Sequence, residues 1–396
     1  MKSMRVILVM IEPPLPFGHA TTRWSYALFK GLVQRGHRVT AFAAPSEPQA
    51  IDEVKALFPS PDYDLRCYAH PIRNRLQSKW QTLRRPYSYM FSPTLRRELG
   101  AELERGFDVL HLEETWAGWL AQGKHASKSV LNFHNLYAID LPSQAPRGLG
   151  EKFRRTLQQR AERRLLQTCP TLMTVTPRLE RAARAIAPIT PVHVVPLALD
   201  LALYPFVPSE RRPSEPVISM IGSMDWYPSL SAAVRLVTRL WPAIKQRVSG
   251  ARLRIVGRNA RGALADYLGR SDLDIAENVA SARPYFEATS VLLYAPDRGS
   301  GMKVKVLEAF AYGVPVVTTS DGVEGLPAHD GVHVGLCDDD SGLIERAVFL
   351  LNDRARQERQ RRAARQLLEQ HCSAKAALDA VERCYSHILA RNALAR

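Results

Sequence analysis

Short apolar, β-branched runs alternate with helical stretches along almost the whole chain, and the alternation stops once and starts afresh. Residues 6–11 read as a buried strand. Residues 21–35 follow as a helix, with Trp24, Leu28 and Leu32 at near-helical spacing and Gly36 at its end. Residues 38–42, 107–112, 129–133, 172–175 and 192–195 are further short strands, and helical stretches lie around 93–105, 114–121, 148–168 and 177–187. Between 200 and 216 the pattern fails: Pro205, Pro208, Pro213 and Pro216 sit among charged residues, as in a linker. A second series then runs through strands at 217–221, 252–256, 291–294, 314–318 and 332–336, with helices over 229–246 and 302–312. From about 341 to 395 the chain is helical and heavily charged. Strands that alternate with helices pair in parallel, so the two series predict two doubly wound sheets.

A chain of 396 residues is too long for one ordinary core. The expected fold class is α/β, with two doubly wound, Rossmann-like domains facing across a cleft. The expected division is 1–200, a linker at 201–216, a second domain at 217–372, and a last helix at 373–396 that packs back toward the N-terminal domain. In such sheets ligands bind at the carboxyl ends of the strands. The architecture alone names no activity, because periplasmic binding proteins and some epimerases share it.

Composition removes several classes. Hydrophobic residues make up 46% and charged residues 23%, an ordinary globular balance. The first apolar run spans only six residues before Glu12, too short for a secretory leader, and no stretch approaches the roughly 20 apolar residues of a membrane helix. A cytoplasmic location is expected. Cys67, Cys169, Cys337, Cys372 and Cys384 are scattered, which fits neither a disulfide framework nor a zinc site. No metal-ligand cluster is visible, so no bound metal is expected.

The formal net charge of +15 is unevenly spread. Arg73, Arg75, Lys79, Arg84, Arg85, Arg96, Arg97 and Arg105 are interleaved with Trp80, Tyr87, Tyr89 and Phe91. Lys152, Arg154, Arg155, Arg160, Arg163 and Arg164 form a second basic run. Such a mixture suits an anionic membrane surface or an anionic acceptor. No nucleic-acid-binding signature accompanies it, so no nucleic acid partner is expected. The chain is expected to be peripheral at the inner face of the plasma membrane.

The most informative stretch is 294–320, YAPDRGSGMKVKVLEAFAYGVPVVTTS. A strand ends at Tyr294, a glycine-bearing loop follows, and a helix is expected to start near Gly301. Free N–H groups and the positive end of a helix dipole suit a phosphate there. Lys305 and Glu308 are three apart and share a helix face. One lysine is suited to neutralising a diphosphate, while Glu308 can accept hydrogen bonds from ribose hydroxyls.

This stretch resembles the donor motif of the family 4 glycosyltransferases, which have the GT-B fold. Lys305-Val-Leu-Glu308-Ala309 matches that family's lysine–glutamate pattern, and Ala311-Tyr-Gly313-Val-Pro315-Val-Val317 matches the segment after it. The likeness continues through residues 321–326 and through 221–228, IGSMDWYP, at the end of the first strand of the second series. The resemblance implies a donor site made by Gly222, Ser223, Arg298, Ser300, Gly301, Lys303, Lys305 and Glu308. One departure is plain. The family carries a first glutamate eight positions before the second, and here that position is Ser300. The donor-loop arginine and lysine of many relatives are also missing at Ser223 and Met224, leaving diphosphate neutralisation to Lys303, Lys305 or Arg298.

In the first half, the loop after residues 6–11 holds Gly18 and His19 where relatives often carry a Gly-Gly pair that approaches phosphate or acceptor. His134, at the end of strand 129–133, resembles the family histidine that contacts the donor sugar near the reaction centre. Glu113 can orient an acceptor hydroxyl, act as base, or sit at a helix N-terminus. The resemblance implies sugar transfer from a nucleoside diphosphate sugar to a glycan, lipid-linked or small-molecule acceptor. It also implies retention of anomeric configuration, with lysines and helix dipoles in place of a metal and no cofactor beyond the sugar nucleotide. Two alternatives stay open on sequence: a nucleotide-sugar epimerase of the same architecture, and a non-catalytic nucleotide- or sugar-binding protein.

Overall fold

A computed structural model describes residues 3–71, 83–121, 123–141, 146 and 148–394. The chain divides into two compact units: Met1–Asp200 together with Ala374–Arg396, and Leu201–Ser373.

The first unit is built on a seven-stranded parallel sheet: β1 Arg5–Met10, β2 Arg38–Ala43, β3 Asp64–Cys67, β4 Val109–Glu113, β5 Ser129–Phe133, β6 Leu172–Thr174 and β7 Val192–Val194. Their order across the sheet is β3-β2-β1-β4-β5-β6-β7. The five residues of β4 and of β5 are all buried, as parallel strands covered on both faces must be. Helices α1 Ala20–Gln34, α2 Ala50–Leu57, α3 Pro93–Glu104, α4 Leu149–Thr168 and α5 Pro177–Ile186 supply the crossovers. Ser92 and Thr176 cap α3 and α5 through side-chain oxygens that accept from Leu95 and Leu179 N–H, each ahead of a proline already set for a first turn.

The second unit holds a six-stranded parallel sheet: β8 Val217–Ile221, β9 Arg252–Gly257, β10 Leu273–Glu277, β11 Val291–Tyr294, β12 Val316–Thr318 and β13 Gly335–Leu336, in the order β10-β9-β8-β11-β12-β13. Its principal helices are α6 Tyr227–Arg235, α7 Trp241–Arg247, α8 Val304–Tyr312, α9 Asp340–Asn352 and α10 Arg354–His371. The proline-bearing segment at 201–216 contains short 3-10 turns and is tied to this unit. Val207 N–H donates to Tyr312 carbonyl at 3.0 Å. Arg361, fully buried, lies 4.1 Å over the Phe206 ring and donates to the Gly313 carbonyl at 2.7 Å. Gly313 closes α8 at φ +73°, and a Cβ there would stand 2.4 Å from Phe206.

The last helix, α11 Ala374–Leu394, packs in the first unit. It approaches α1 so closely that a Cβ on Gly31 would stand 2.3 Å from Leu378 Cδ1. Arg35 bridges Asp379 at 2.7 Å and Glu382 at 2.8 Å beside that contact.

Several expectations change. Residues 229–246 are helical throughout, with a π-type turn, Leu236–Leu240, between α6 and α7. Pro242, within the first two positions of α7, has no N–H to continue the ladder. Residues 114–121 form a 3-10 turn, Thr115–Leu120, rather than an α-helix. The strands expected at 314–318 and 332–336 shorten to β12 and β13. The helix expected from Gly301 begins at Val304, because Gly301 takes φ +81° and belongs to the loop. Strands β3 and β10 were not anticipated.

Candidate active site

In the second unit the site grows from the carboxyl ends of β8 and β11. Gly222 follows β8, and a Cβ at Gly257 would fall 1.9 Å from the Gly222 carbonyl, so these two loops meet backbone to backbone. Lys305, in the first turn of α8, extends along Gly222. A Cβ on Gly222 would stand 2.8 Å from Lys305 Cε, so glycine makes room for the lysine. The Lys305 ammonium donates to Ser229 Oγ at 2.5 Å and lies 4.3 Å from the centre of the Tyr294 ring. Burial pushes its pKa down to about 7, Lys303 adds to this, and Glu308 opposes it. The α8 N-terminus has no side-chain cap. An enclosed cation beside a helix N-terminus gains most from an incoming anion.

Lys303 belongs to the loop. Its ammonium donates to the Gly301 carbonyl and lies 3.7 Å from Glu324. Ser300, Gly301, Lys303 and Glu308 are buried around this start of α8, whereas Arg298 is exposed. Ser223 turns its hydroxyl to Asp225 at 3.3 Å. The structure therefore brings Gly222, Lys303, Lys305 and Glu308 to one helix start. It adds Ser229, which no local pattern marked, and gives Tyr294 and Glu324, inside the matched stretches, a place beside the two lysines.

In the first unit the carboxyl ends of β4 and β5 carry Glu113 and His134. Glu113 is buried, and both of its oxygens accept from protein donors. Trp24 Nε1 donates to Oε1 at 2.9 Å, Asn132 Nδ2 lies 3.1 Å from each oxygen, and His134 Nε2 lies 3.0 Å from Oε2. His111 Nε2 stands 2.7 Å from Oε1, within ion-pair range although out of line for a regular hydrogen bond. Burial alone would raise the Glu113 pKa, but His111 and His134 outweigh it and hold the carboxyl well below its usual range. Burial likewise opposes a charge on His134, and Glu113 with Glu114 overcomes it and raises the imidazole's pKa.

Nδ1 of His134 and Oε1 of Glu114 are among the buried polar atoms without a hydrogen-bond partner in the described residues. Glu114 holds φ +73°, a conformation that costs a non-glycine residue about 1 kcal/mol or more. Glu12, after β1, has a pKa pushed up to about 7, first by burial and then by Glu114 and Glu47. Gly18 at φ +118° and His19 are exposed on the loop that enters α1, and His19 makes no side-chain cap there.

Two family models match, one in each half: Glycosyltransferase Family 4 over residues 21–203 and Glycosyl transferases group 1 over residues 215–353. Each half thus carries a glycosyltransferase domain, the first of family 4 and the second of group 1. Solved structures agree on the fold. Sucrose-phosphate synthase from Thermosynechococcus elongatus matches with a TM-score of 0.73 at 16% identity, over 98% of this chain and 99% of that one. HepE of Anabaena, in complex with UDP and glucose, matches at 0.68 and 12%, over 97% and 100%. WaaG, a glycosyltransferase involved in lipopolysaccharide biosynthesis, matches at 0.65 and 14%, over 96% and 99%. No match was found among curated protein sequences. The chain is thus a GT-B glycosyltransferase, and the epimerase and binding-protein alternatives give way to a transferase.

Proposed function

We propose that this glycosyltransferase moves a sugar from a nucleoside diphosphate sugar to a glycan, lipid-linked or small-molecule acceptor, with retention and without a bound metal. The enclosed Lys305 ammonium carries the reading. Its cation is unfavourable in the free protein and becomes favourable beside a diphosphate, as the depressed pKa of the free group reflects. In this reading the second unit holds the donor. Lys305, Lys303 and the first N–H groups of α8 take the diphosphate, with Gly301 and Gly222 letting backbone approach and Arg298 free to reach from the surface. Glu308 accepts from ribose hydroxyls, and Ser300 and Ser223 offer hydroxyls to the donor. That HepE is described with UDP and glucose supports a sugar nucleotide as the donor.

In the first unit Glu113 anchors His134, whose Nδ1, without a partner among the described residues, is suited to bond a sugar hydroxyl. Gly18 and His19 provide a loop for phosphate or acceptor. The bond from the anomeric carbon to the β-phosphate oxygen breaks, and the electron pair leaves with the nucleoside diphosphate. The acceptor oxygen then bonds to that carbon and passes its proton to the departing β-phosphate oxygen. Oxyanion charge developing on the diphosphate is met by lysines and helix N–H groups in place.

The acceptor side also supports a membrane-associated role at the inner face of the plasma membrane. On α4, Leu149 is 87% and Phe153 59% exposed, one turn apart, with Lys152 and Arg154 exposed beside them. The other basic run contributes less: Arg73, Arg75, Lys79 and Trp80 lie outside the described residues, Phe91 is buried, and Arg96 is engaged with the Ser88 and Phe91 carbonyls. Among the described residues no helix is long and apolar enough to cross a membrane.

Product analysis tests the reaction. Incubation with nucleotide sugars and a panel of lipid-linked and free glycan acceptors should give a new glycoside whose anomeric coupling constant matches the donor's, with the rate unaltered by a chelator. Nucleoside diphosphate release without glycoside formation would sink the proposal.

A further inference from the structure

Tyr385 lies on α11, 274 residues beyond His111, yet its hydroxyl stands 2.6 Å from His111 Nδ1 in the core of the first unit. From there a line of polar contacts continues: His111 Nε2 to Glu113 Oε1 at 2.7 Å, and Glu113 Oε2 to His134 Nε2 at 3.0 Å. All four side chains are buried. We propose that Tyr385 and His111 are positioning residues for sugar transfer, forming with Glu113 a relay that fixes the ring and the proton of His134. This rests on the reading that His134 serves the transfer.

The argument is one of donors and acceptors. The buried Tyr385 phenol keeps its proton, since burial raises its pKa well above the ordinary value. With the phenol as donor to His111 Nδ1, the His111 proton stands on Nε2, toward Glu113. With Trp24 and Asn132 also donating, the carboxylate has no freedom to turn. His134 must then give its Nε2–H to Glu113, and Nδ1 is the atom left to meet substrate. Packing alone would be satisfied by phenylalanine at 385, so the hydroxyl is the informative atom. The charged or titratable groups facing the relay are Glu113 at the end of β4, Glu114 after it, and Cys384 and Glu382 on α11. Among these, Glu113 is the one in contact with both histidines.

Tyr385→Phe tests the relay, with the His134 titration read by NMR in the protein without substrate and steady-state kinetics read beside it. Without the phenol, the His111 ring is no longer held and can turn its N–H more squarely onto Glu113, competing with His134 for that carboxylate. The His134 midpoint should fall by about half a unit or more. The kcat should drop roughly three- to tenfold while donor KM stays within about twofold. His111→Gln, which keeps an N–H toward Glu113, should retain more of kcat than His111→Leu. The proposal is overturned if Tyr385→Phe leaves both midpoint and kcat at wild-type values, or if only melting temperature and KM move. A wild-type chain that transfers no sugar, but whose His134 midpoint still falls in Tyr385→Phe, would overturn the role in transfer and leave the coupling standing.

Discussion

The ammonium of Lys305 is held 2.5 Å from the Ser229 hydroxyl, across 76 residues of sequence and with the face of Tyr294 beneath it. Neither neighbour carries a negative charge. A half-buried cation without a bound anion costs free energy in the empty protein, and that cost returns as affinity when a diphosphate arrives. Lys305→Met should therefore abolish stabilisation by nucleoside diphosphates while leaving the melting temperature of the free protein unchanged or a few degrees higher. Differential scanning calorimetry with and without nucleotide checks both halves.

The same lysine sets a pH dependence. Its free pKa is lowered to about 7, and a bound diphosphate raises it. Below pH 7 the group is charged in both states and affinity is flat on its account. Above that, binding must take up a proton, so the dissociation constant should rise by up to about tenfold per pH unit until the bound pKa is passed. Isothermal titration between pH 6 and 9 reads this slope, which should vanish in Lys305→Met.

Gly222→Ala places a methyl group 2.8 Å from Lys305 Cε. The obstructed atom is in a flexible side chain, so the fold should survive while the ammonium is displaced. Alanine is strained at the Gly222 φ of +159°, so a lowered melting temperature is expected together with about tenfold weaker nucleotide binding, near 1.4 kcal/mol.

How much of this was legible in the sequence depended on burial. Strands such as β1 and β11 are buried along their length and spell continuous apolar runs. Strands β3, Asp-Leu-Arg-Cys, and β10, Leu-Asp-Ile-Ala-Glu, escaped notice because they are the edges of their sheets, half wetted and without such a run. Lys305 and Glu308 could be placed on one helix because their spacing is local. Ser229 and Tyr294 could not be joined to Lys305, since only the parallel sheet brings those loops together. Tyr385 was equally silent: its meaning comes from a helix returning to a strand 274 residues earlier.

Glu113→Gln should remove the charge that favours imidazolium at His134. The Glu113 pKa is lowered in the fold, so its stabilisation is full above the unfolded value of 4.5 and fades as pH falls below it. The His134 pKa is raised, so its share is full below 6.5 and fades as pH rises through the folded value. The pair should stabilise most between those two values. The variant should lose about 3 kcal/mol there, measured by urea unfolding, with a flatter pH profile.

If α4 meets lipid, the chain should sediment with vesicles containing anionic phospholipid at low ionic strength and be released by about 0.5 M salt, where screening is nearly complete within a few ångströms. Replacing Lys152 and Arg154 by glutamate should weaken sedimentation without lowering transfer to a soluble acceptor. Equal sedimentation with neutral vesicles would count against the charge argument.

The most direct test of the central claim is a calorimetric titration of the wild-type chain and Lys305→Met with a panel of nucleoside diphosphates and nucleotide sugars. The account predicts saturable binding of at least one diphosphate by the wild type, lost with its phosphate-dependent heat in Lys305→Met. Binding of no nucleotide by the wild type, or equal binding by both proteins, would contradict it.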